Sequence, residues 1–349
     1  MLKPLLILLF PLILFSSLVG CSVQKEANPA GPSPVPGESI PILVLEPEGA
    51  VRVGAWDIQE CTLTLDPTPV MSLTDHPAEI RWDGKRTVVA NADLNANLTG
   101  IKKGWSVYQR SSLSYSPLDH PEREFSIGEK SLVITDHLTK TERAYPLPEQ
   151  SLEQPAGTMV LWAAGTPQEA RVLIHYFRPV PGPNPNGSHG LGSGLLLATI
   201  TEPDISWSEP ALNGGIVQWQ LPQVVALKDK LYIGGIENVL QVDLQQNTVS
   251  LERSITALLQ ALVPSQEEIR QKDILIAGPS LGCWNDVLLA GLRVGNEDYV
   301  KAIHNGKEIG TMIWRKDRIV LTNASGRAKE QPSPNSNSVL VLPQGRTSW

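Results

Sequence analysis

One segment of the sequence has the spacing of a serine nucleophile. Gly278-Pro279-Ser280-Leu281-Gly282 matches the pattern G-x-S-x-G and follows an apolar run that predicts a strand. A hydrolase of that class also needs an acidic residue and then a histidine further along the chain. His304 is the only histidine after Ser280, and it lies just 24 residues on. The regular alternation of strands and helices is also missing. We therefore interpret the segment as a turn between strands and predict no catalytic residue.

Two other segments have spacings that suggest ion or phosphate binding. Asn91–Asn97 places a polar side chain at every second position, as a calcium loop does, but it contains one carboxylate and has Lys102 where a calcium loop needs glutamate. Its alternating apolar residues favour a half-buried strand. The alternate glycines of Gly190–Gly194 precede a predicted strand, whereas a phosphate loop leads into a helix.

The six histidines could bind a metal, and the nine tryptophans could bind a sugar. No two histidines are four residues apart, and none lies beside a C-x-x-C pair, so a zinc site would have to assemble from distant segments. We predict no metal and no cofactor. Most of the tryptophans are expected in the core, which leaves one or two that could stack on a sugar.

The three cysteines divide into one near the N-terminus and two in the body. Cys61 and Cys283 could form a disulfide if the protein is exported, and this bond would close a long loop. In the chain-entropy model it would add up to ~5 kcal/mol. Two separate buried thiols are the alternative, and the sequence does not decide between them.

The N-terminus has the organisation of a secretory signal. Lys3 precedes an apolar stretch over residues 4–15, and Ser16 and Ser17 lead into a zone of small residues. An uncleaved membrane helix is the alternative, which Pro11 and the short apolar stretch weaken.

The end of this signal, Leu18-Val19-Gly20-Cys21, resembles the lipobox of bacterial lipoproteins. The resemblance implies cleavage before Cys21, a diacylglyceryl group on its thiol, and acylation of the new N-terminus by a fatty acid such as palmitate. It also implies a location in the bacterial cell envelope, with the protein anchored by lipid to a membrane and facing outside the cytoplasm.

The rest of the chain divides into a tether and a body. Residues 21–39 are rich in proline and glycine and predict an extended spacer of roughly 3.1 Å per residue. Residues 40–349 form the predicted domain, with a loop insertion at 179–194. The formal net charge of −7 makes nucleic acid an unsuitable partner, and 29 prolines with 28 glycines indicate a turn-rich fold.

The body repeats a short β-rich run at a nearly constant interval. We mark these runs by Val44, Val88, Leu132, Leu173, Leu231, Leu275 and Ile319. Successive markers are 44, 44, 41, 58, 44 and 44 residues apart, and the long interval contains the insertion. A four-stranded propeller blade takes ~40–50 residues. The spacing therefore predicts an all-β protein with a β-propeller fold of seven blades, with six or eight as alternatives.

Local patterns within these repeats agree with that fold. Residues 230–249 have the sequence KLYIGGIENVLQVDLQQNTV, which resembles a blade of the WD40/YVTN-like β-propellers. Asp83-Gly84 and Asn305-Gly306 each lie between two β-rich runs and predict hairpin turns. The resemblance implies a ring of blades that gathers loops from distant parts of the chain at one face.

Two regions have more specific predictions. Apolar residues over 255–262 follow helical spacing until Pro264, and Ser265 with Glu268 could form a capping box, so we predict a helical excursion near 254–271. Val339–Leu342 predicts a last strand that completes the first blade beside Ile42–Leu45. The polar run 328–336 before it predicts a solvated linker.

These observations favour a lipid-anchored extracytoplasmic module that binds an unknown protein or carbohydrate ligand. Two alternatives stay open. One is a propeller enzyme, a hydrolase or lyase, in which carboxylates and histidines converge on the central funnel. The other is an envelope assembly or structural factor, which an exposed apolar patch would favour.

Overall fold

The computed structural model describes residues 39–344 except 75–76, 78, 92–97, 112, 153–157, 166–168, 184–188, 214–222, 236–237 and 335–337. The predicted signal, Cys21 and all but the last residue of the tether lie outside the described residues, as does most of Asn91–Asn97. The strands and helices, in chain order, are β1 (Ile40–Leu45), β2 (Ala50–Asp57), β3 (Thr62–Leu65), β4 (Met71–Leu73), β5 (Glu79–Trp82), β6 (Arg86–Asn91), β7 (Leu98–Thr99), β8 (Ser106–Ser111), β9 (Ser114–Tyr115), β10 (Arg123–Ile127), β11 (Ser131–Asp136), β12 (Thr141–Pro146), α1 (Glu149–Leu152), β13 (Met159–Gly165), β14 (Glu169–Pro183), β15 (His189–Thr201), β16 (Asp204–Ser208), β17 (Ala211–Asn213), β18 (Val224–Leu227), β19 (Lys230–Gly234), β20 (Val239–Asp243), β21 (Thr248–Leu251), α2 (Arg253–Gln260), α3 (Gln266–Lys272), β22 (Ile276–Trp284), β23 (Val287–Val294), β24 (Glu297–His304), β25 (Lys307–Trp314), β26 (Arg318–Asn323), β27 (Ala328–Pro332) and β28 (Val339–Val341).

These strands form six sheets, arranged as the blades of a β-propeller. The first blade has the order β28-β1-β2-β4-β7, with β3 also paired to β2, and the second has the order β5-β6-β8. The third blade contains β9–β12, the fourth β13–β16, the fifth β18–β21 with β17 on its outer edge, and the sixth β22–β27. Neighbouring strands are antiparallel except for the pairs β6–β8 and β17–β21. The all-β propeller prediction is therefore confirmed.

The number of blades is six rather than seven. The first six sequence markers lie in, or directly before, strands of six different sheets, but the seventh does not begin a new blade. Ile319 lies in β26 and Leu275 directly precedes β22, so both belong to the sixth sheet, which has six strands. The last interval of 44 residues is therefore the length of an enlarged blade.

Apolar side chains pack between neighbouring blades at five of the six interfaces. Each hydrophobic cluster joins the faces of two blades that are adjacent in the ring: one with two, three with four, four with five, five with six, and six with one. Large side chains such as Trp56, Trp82 and Trp162 are fully buried in these clusters. None of the tryptophans that the structure describes is highly exposed.

The interface between blades two and three is held by arginines instead. Within the described residues no apolar cluster joins these two blades. Three arginines of blade two reach carbonyl oxygens on blade three: Arg81 donates to Ser116 O at 3.0 Å, Arg86 donates to Asp119 O at 2.9 Å, and Arg110 donates to Pro121 O. The Arg81 guanidinium also lies 4.0 Å from the centre of the Tyr115 ring. We call this interface the arginine seam.

The C-terminal strand closes the ring. Leu43, Val44 and Leu45 of β1 pair with Val341, Leu340 and Val339 of β28, which confirms the predicted completion of the first blade. Beyond β28, Cys283 N of blade six donates to Pro343 O at 2.6 Å, and Gln344 N donates to Trp82 O of blade two at 3.0 Å. Three blades are therefore linked through the last described residues.

The segment before β28 is not a linker throughout, contrary to the prediction for 328–336. Residues 328–332 form β27, the outermost strand of the sixth blade. Gln331 bonds to both main-chain groups of Leu63 in the first blade, accepting from Leu63 N at 3.0 Å and donating to Leu63 O at 2.7 Å. The alternating exposure of β27 is that of an edge strand. The polar sequence of such a strand does not differ from that of a solvated linker.

Within the predicted insertion at 179–194, the described residues 179–183 and 189–194 belong to strands. They continue β14 and β15 as a two-stranded ribbon, in which Tyr176 pairs with Gly194 and Pro183 pairs with His189. At Gly194 a Cβ atom would lie 2.2 Å from the Tyr176 ring, so the ring packs directly over the glycine backbone. Proline and glycine obscured the strand pattern there.

The helical excursion is confirmed as α2 and α3. Ser265 and Glu268 form the predicted capping box at the start of α3. Ile255 and Leu259 of α2 are buried in the cluster between blades five and six. No helix in the described ranges is long and apolar enough to cross a bilayer.

The two body cysteines are buried in different places and are not joined by a disulfide. Cys61 lies in the cluster between blades six and one, and Cys283 lies in the cluster between blades five and six. The Cys61 thiol donates to Arg327 O at 3.3 Å, and the Cys283 thiol donates to Ala226 O at 3.2 Å. The possible disulfide is not formed, because each thiol is enclosed on its own side of the sixth blade.

The closure predicts a large difference between two residues of the C-terminal segment. Leu342 is 6% exposed and packs in the cluster between blades six and one, whereas Val339 is 43% exposed. Leu342→Ala should lower the free energy of unfolding by about 2–5 kcal/mol, since it leaves a cavity in this cluster. Val339→Ala, the control, should cost under about 1 kcal/mol. Denaturant unfolding that gives equal losses for both variants would contradict the closure.

Candidate functional site

The axis of the ring contains a small polar cavity. Its walls come from five blades: Gln344 from the first, Asp83 and Arg86 from the second, Tyr115 and Asp119 from the third, Trp162 from the fourth and residues 224–226 from the fifth. The cavity volume is about 20 Å³, which is room for roughly one water molecule. The axis brings distant segments together, but it is nearly closed.

The second blade contributes a locked ion pair to this cavity. Asp83 directly follows β5, and its carboxylate accepts from Arg86 N at 2.8 Å and from Arg86 Nε at 2.8 Å. The predicted turn is formed here, with Gly84 at φ +104°. Because the Asp83 side chain is only 3% exposed, the ion pair fixes the hairpin tip and directs the Arg86 guanidinium towards blade three.

Asp119 of the third blade is the unusual carboxyl group at the axis. Its Oδ1 atom is buried and has no hydrogen-bond partner in the described part of the chain. Burial is the largest influence and raises the pKa of Asp119, while the charges of His120 and Arg86 act against it. Burial also raises the pKa of Tyr115 to about 12. The axis therefore favours a protonated carboxyl group more than water does.

This environment predicts that Asp119→Asn stabilises the protein at neutral pH. Because the folded-state pKa is raised, the folded protein holds the Asp119 proton more tightly than the unfolded chain. Wild-type stability should fall as pH rises from 3.8, the ordinary value, through the folded-state pKa. The melting temperature of Asp119→Asn should exceed that of wild type at pH 7, and the difference should shrink towards pH 4.

Asp83→Asn is the matched control for this variant. It weakens the ion pair with Arg86 and should lower the melting temperature at pH 7. If both aspartate variants were destabilised to the same extent at pH 7, the assignment of Asp119 as a strained carboxylate would be wrong.

A larger cleft lies between the sixth blade and the closing strand. Its volume is about 190 Å³. One wall comes from the sixth blade. It combines small residues of β22 and β23 with larger and charged side chains, namely Ala277, Gly278, Ser280, Gly291, Leu292, Arg293, Asp298, Tyr299 and Val300. The facing wall is apolar and comes from the C-terminal segment 339–342. The cleft is therefore built only when the last strand has closed the ring.

A bulge in β22 opens this cleft. Ala277 pairs with Arg293 and Ser280 pairs with Gly291, so two residues of β22 lie opposite one residue of β23. A bulge bends the strand that carries it and ends regular pairing. Gly278 has φ +126°, a backbone conformation that favours glycine.

Oppositely charged side chains form pairs along one side of the cleft. Arg293 donates to both carboxylate oxygens of Asp298, at 2.7 and 2.6 Å, and this bond raises the pKa of Arg293. Next to it, Tyr299 Oη donates to Glu297 at 2.5 Å, and Arg315 lies 2.9 Å from the same carboxylate. Burial, with this hydrogen bond, raises the pKa of Tyr299. These charged groups all have a partner of opposite sign.

The structure separates the residues that could have formed a serine hydrolase. Ser280 lies inside β22, so the strand continues where a nucleophile elbow would turn. His304 is at the far end of the same sheet, opposite Val287, and its Nδ1 lies 3.3 Å from Asp286 O. The motif instead supplies small residues to the wall of the cleft.

The histidines do not form a metal site in the described part of the chain. His120 pairs with Glu122 at 3.0 Å and His137 pairs with Glu124 at 2.7 Å. No group of three or more His, Cys, Asp and Glu side chains with metal-binding geometry occurs among the described residues.

The sequence analysis missed the arginine seam and the cleft. The signal for the first is Arg81, a charged residue between Ile80 and Trp82 in a strand whose last three residues are all buried. An arginine in such a position needs several acceptors, here supplied by blade three and Glu79. The pairing of the last strand with the first was predicted, but the gap that it leaves against the sixth blade depends on side-chain packing between blades, which has no local sequence signal.

Comparison with known proteins gives similarity to solved structures alone. No family model matches the sequence, and no curated protein matches it. Cobalt-substituted ACO from Synechocystis is 11% identical with a TM-score of 0.38, over 83% of this chain and 72% of that chain. Dipeptidyl peptidase 4 from Porphyromonas gingivalis is 8% identical with a TM-score of 0.32, over 80% of this chain and 42% of that chain. A eukaryotic initiation factor is 11% identical with a TM-score of 0.34, over 87% of this chain and 90% of that chain. Similarity at this level assigns neither an activity nor a ligand to this chain.

Proposed function

We propose that this chain is a lipid-anchored binding module that faces outside the cytoplasm and holds its ligand at the propeller surface. The observation that carries the proposal is the contrast between the small cavity where five blades meet and the larger cleft beside the closing strand. Ligand pockets usually enclose about 300–1,000 Å³, and the axial cavity of about 20 Å³ is far below that range. Gln344, three residues after β28, lines this cavity, so the same segment that closes the ring also contributes to the wall of the cavity.

The anchor rests on the N-terminal sequence. Cys21 follows Leu18-Val19-Gly20, and the proline-rich residues after it would hold the body away from the bilayer. Each buried CH₂ group of an acyl chain contributes roughly 0.8 kcal/mol, so two or three chains bind a membrane firmly. The acidic balance of the chain supports an anchor made of lipid rather than of basic side chains.

One observation favours an enzyme as the second candidate. A carboxyl group with a raised pKa at a site where several blades converge is typical of a general acid. Asp119 is such a group, and Tyr115 and Arg86 lie beside it. An esterase, phosphatase or glycosidase activity that Asp119→Asn abolishes without loss of folding would support this candidate over the binding module.

The anchor is tested by metabolic labelling with a radioactive fatty acid. Wild-type protein and a Cys61→Ser control should incorporate label, whereas Cys21→Ser should incorporate none and should remain unprocessed or be released. Cys61 is the suitable control because its thiol is buried in the body. Label in Cys21→Ser equal to that in wild type would refute the anchor.

The binding role is tested with a photoreactive amino acid in intact cells. Val339 is 43% exposed on the wall of the cleft, whereas Leu138 is 79% exposed in the third blade. A photoreactive residue at position 339 should give a discrete crosslinked product that the same residue at 138 does not give. If position 339 yields no product, or both positions yield the same ones, binding at this part of the surface is rejected.

A further inference from the structure

The cleft between blade six and the closing strand is a gap in an otherwise filled interface. Away from this end, the same two faces interlock through large side chains that include Trp56, Met312 and Trp314. At the cleft the sixth blade presents the small residues Ala277, Gly278 and Gly291 along part of the wall. Arg293 and Tyr299 line the same side, and about 190 Å³ is left open between them and the closing strand. Protein interiors are close-packed, so an interface of this kind ordinarily leaves no such volume.

The size and walls of the gap match a single apolar group. Its volume of about 190 Å³ is comparable with the ~150 Å³ apolar cavity that binds benzene in an engineered protein. Val339 and Leu340 form an apolar wall, and Val339 is 43% exposed at the opening. Leu275, two residues before Ala277 in the chain, is 69% exposed. An apolar group placed in the cleft would remove some of this surface from water.

The polar side chains that line one side of the cleft restrict the class of ligand that it can bind. Arg293 is bonded to Asp298 through two hydrogen bonds, and Glu297 is bonded to Arg315 and Tyr299. A phosphate, carboxylate or ammonium ligand would have to break one of these pairs to gain a partner. A peptide group is neutral and both donates and accepts, so it can use the Ser280 hydroxyl and the outer edges of these pairs without disrupting them.

We propose that the cleft between blade six and the closing strand binds one large apolar side chain of a partner protein, together with its flanking peptide groups. This inference deepens the proposed binding function and rests on it. The small wall of β22 and β23 would accommodate the side chain, and Val339 and Leu340 would cover it. The ligand is therefore a neutral peptide segment with an aromatic or branched aliphatic residue.

The test uses N-acetyl-phenylalaninamide and N-acetyl-leucinamide as probes on the folded body, residues 39–349. Titration followed by amide chemical shifts should move the resonances of Gly278 and Gly291 in a saturable way. N-acetyl-lysinamide and methyl glucoside at the same concentrations should leave them in place. Ser280→Phe places a ring inside the cleft and should weaken binding of the apolar probes about ten-fold or more. Ser206→Phe, on the exposed outer strand of the fourth blade, is the matched control and should bind as wild type does.

Several results would overturn the proposal. Unchanged binding in Ser280→Phe would place the probes elsewhere on the protein. An equal response to the lysine probe would remove the preference for an apolar side chain. Shifts caused by methyl glucoside alone would make the cleft a sugar site, which ends the peptide assignment and leaves the binding function in place. If no probe binds, the ligand class is wrong, and the crosslinking at position 339 decides the binding function separately.

Discussion

The pairing of β28 with β1 is the interaction on which the rest of the structure depends. A ring of sheets is complete only if the final blade packs against the first. Here the C-terminal strand β28 follows the sixth blade in the chain but pairs with β1 in the first blade. Without it, the cluster between blades six and one would lose Leu342, and β1 would have a free edge. Beyond the strand, Pro343 and Gln344 bond to blades six and two, so one short segment holds three blades in position.

The same constraint explains where ligands are expected. The residues that close the ring also line the axial cavity and the outer wall of the cleft. The closing segment therefore contributes to a small cavity where five blades meet and to a larger cleft beside the last strand. The arginine seam adds a second asymmetry, because blades two and three are joined by directional hydrogen bonds instead of apolar packing. Arg81 is 3% exposed, and its buried charge is compensated by the Ser116 carbonyl, the Glu79 carboxylate and the Tyr115 ring together.

Much of the fold can be predicted from the sequence because its signals are local. The β-rich runs at intervals near 44 residues identify strands, Asn305 and Gly306 both adopt the positive φ angles of a hairpin turn, and Ser265 caps α3 as its spacing with Glu268 indicates. The number of blades is six, which the sequence left open as an alternative to seven. Ile319 continues the sixth sheet, and no local signal separates an added strand from a new blade. The site depends on non-local contacts. The pairing of the last strand with β1 follows from its apolar pattern and the need to close a ring, but the hydrogen bond from Arg86 to the Asp119 carbonyl has no signature within one segment.

Hydrogen exchange along the chain measures directly whether the pairing of β28 with β1 closes the ring. In the folded body, the amides of Val339–Val341 that pair with β1 should exchange as slowly as those of β18 and β22, because opening the closure would require opening the ring. If β28 closes the ring, the amides of the C-terminal strand and of β1 should be protected together as one cooperative unit. Exchange of Val339–Val341 at the rate of an unstructured peptide, while the other inner strands stay protected, would contradict it.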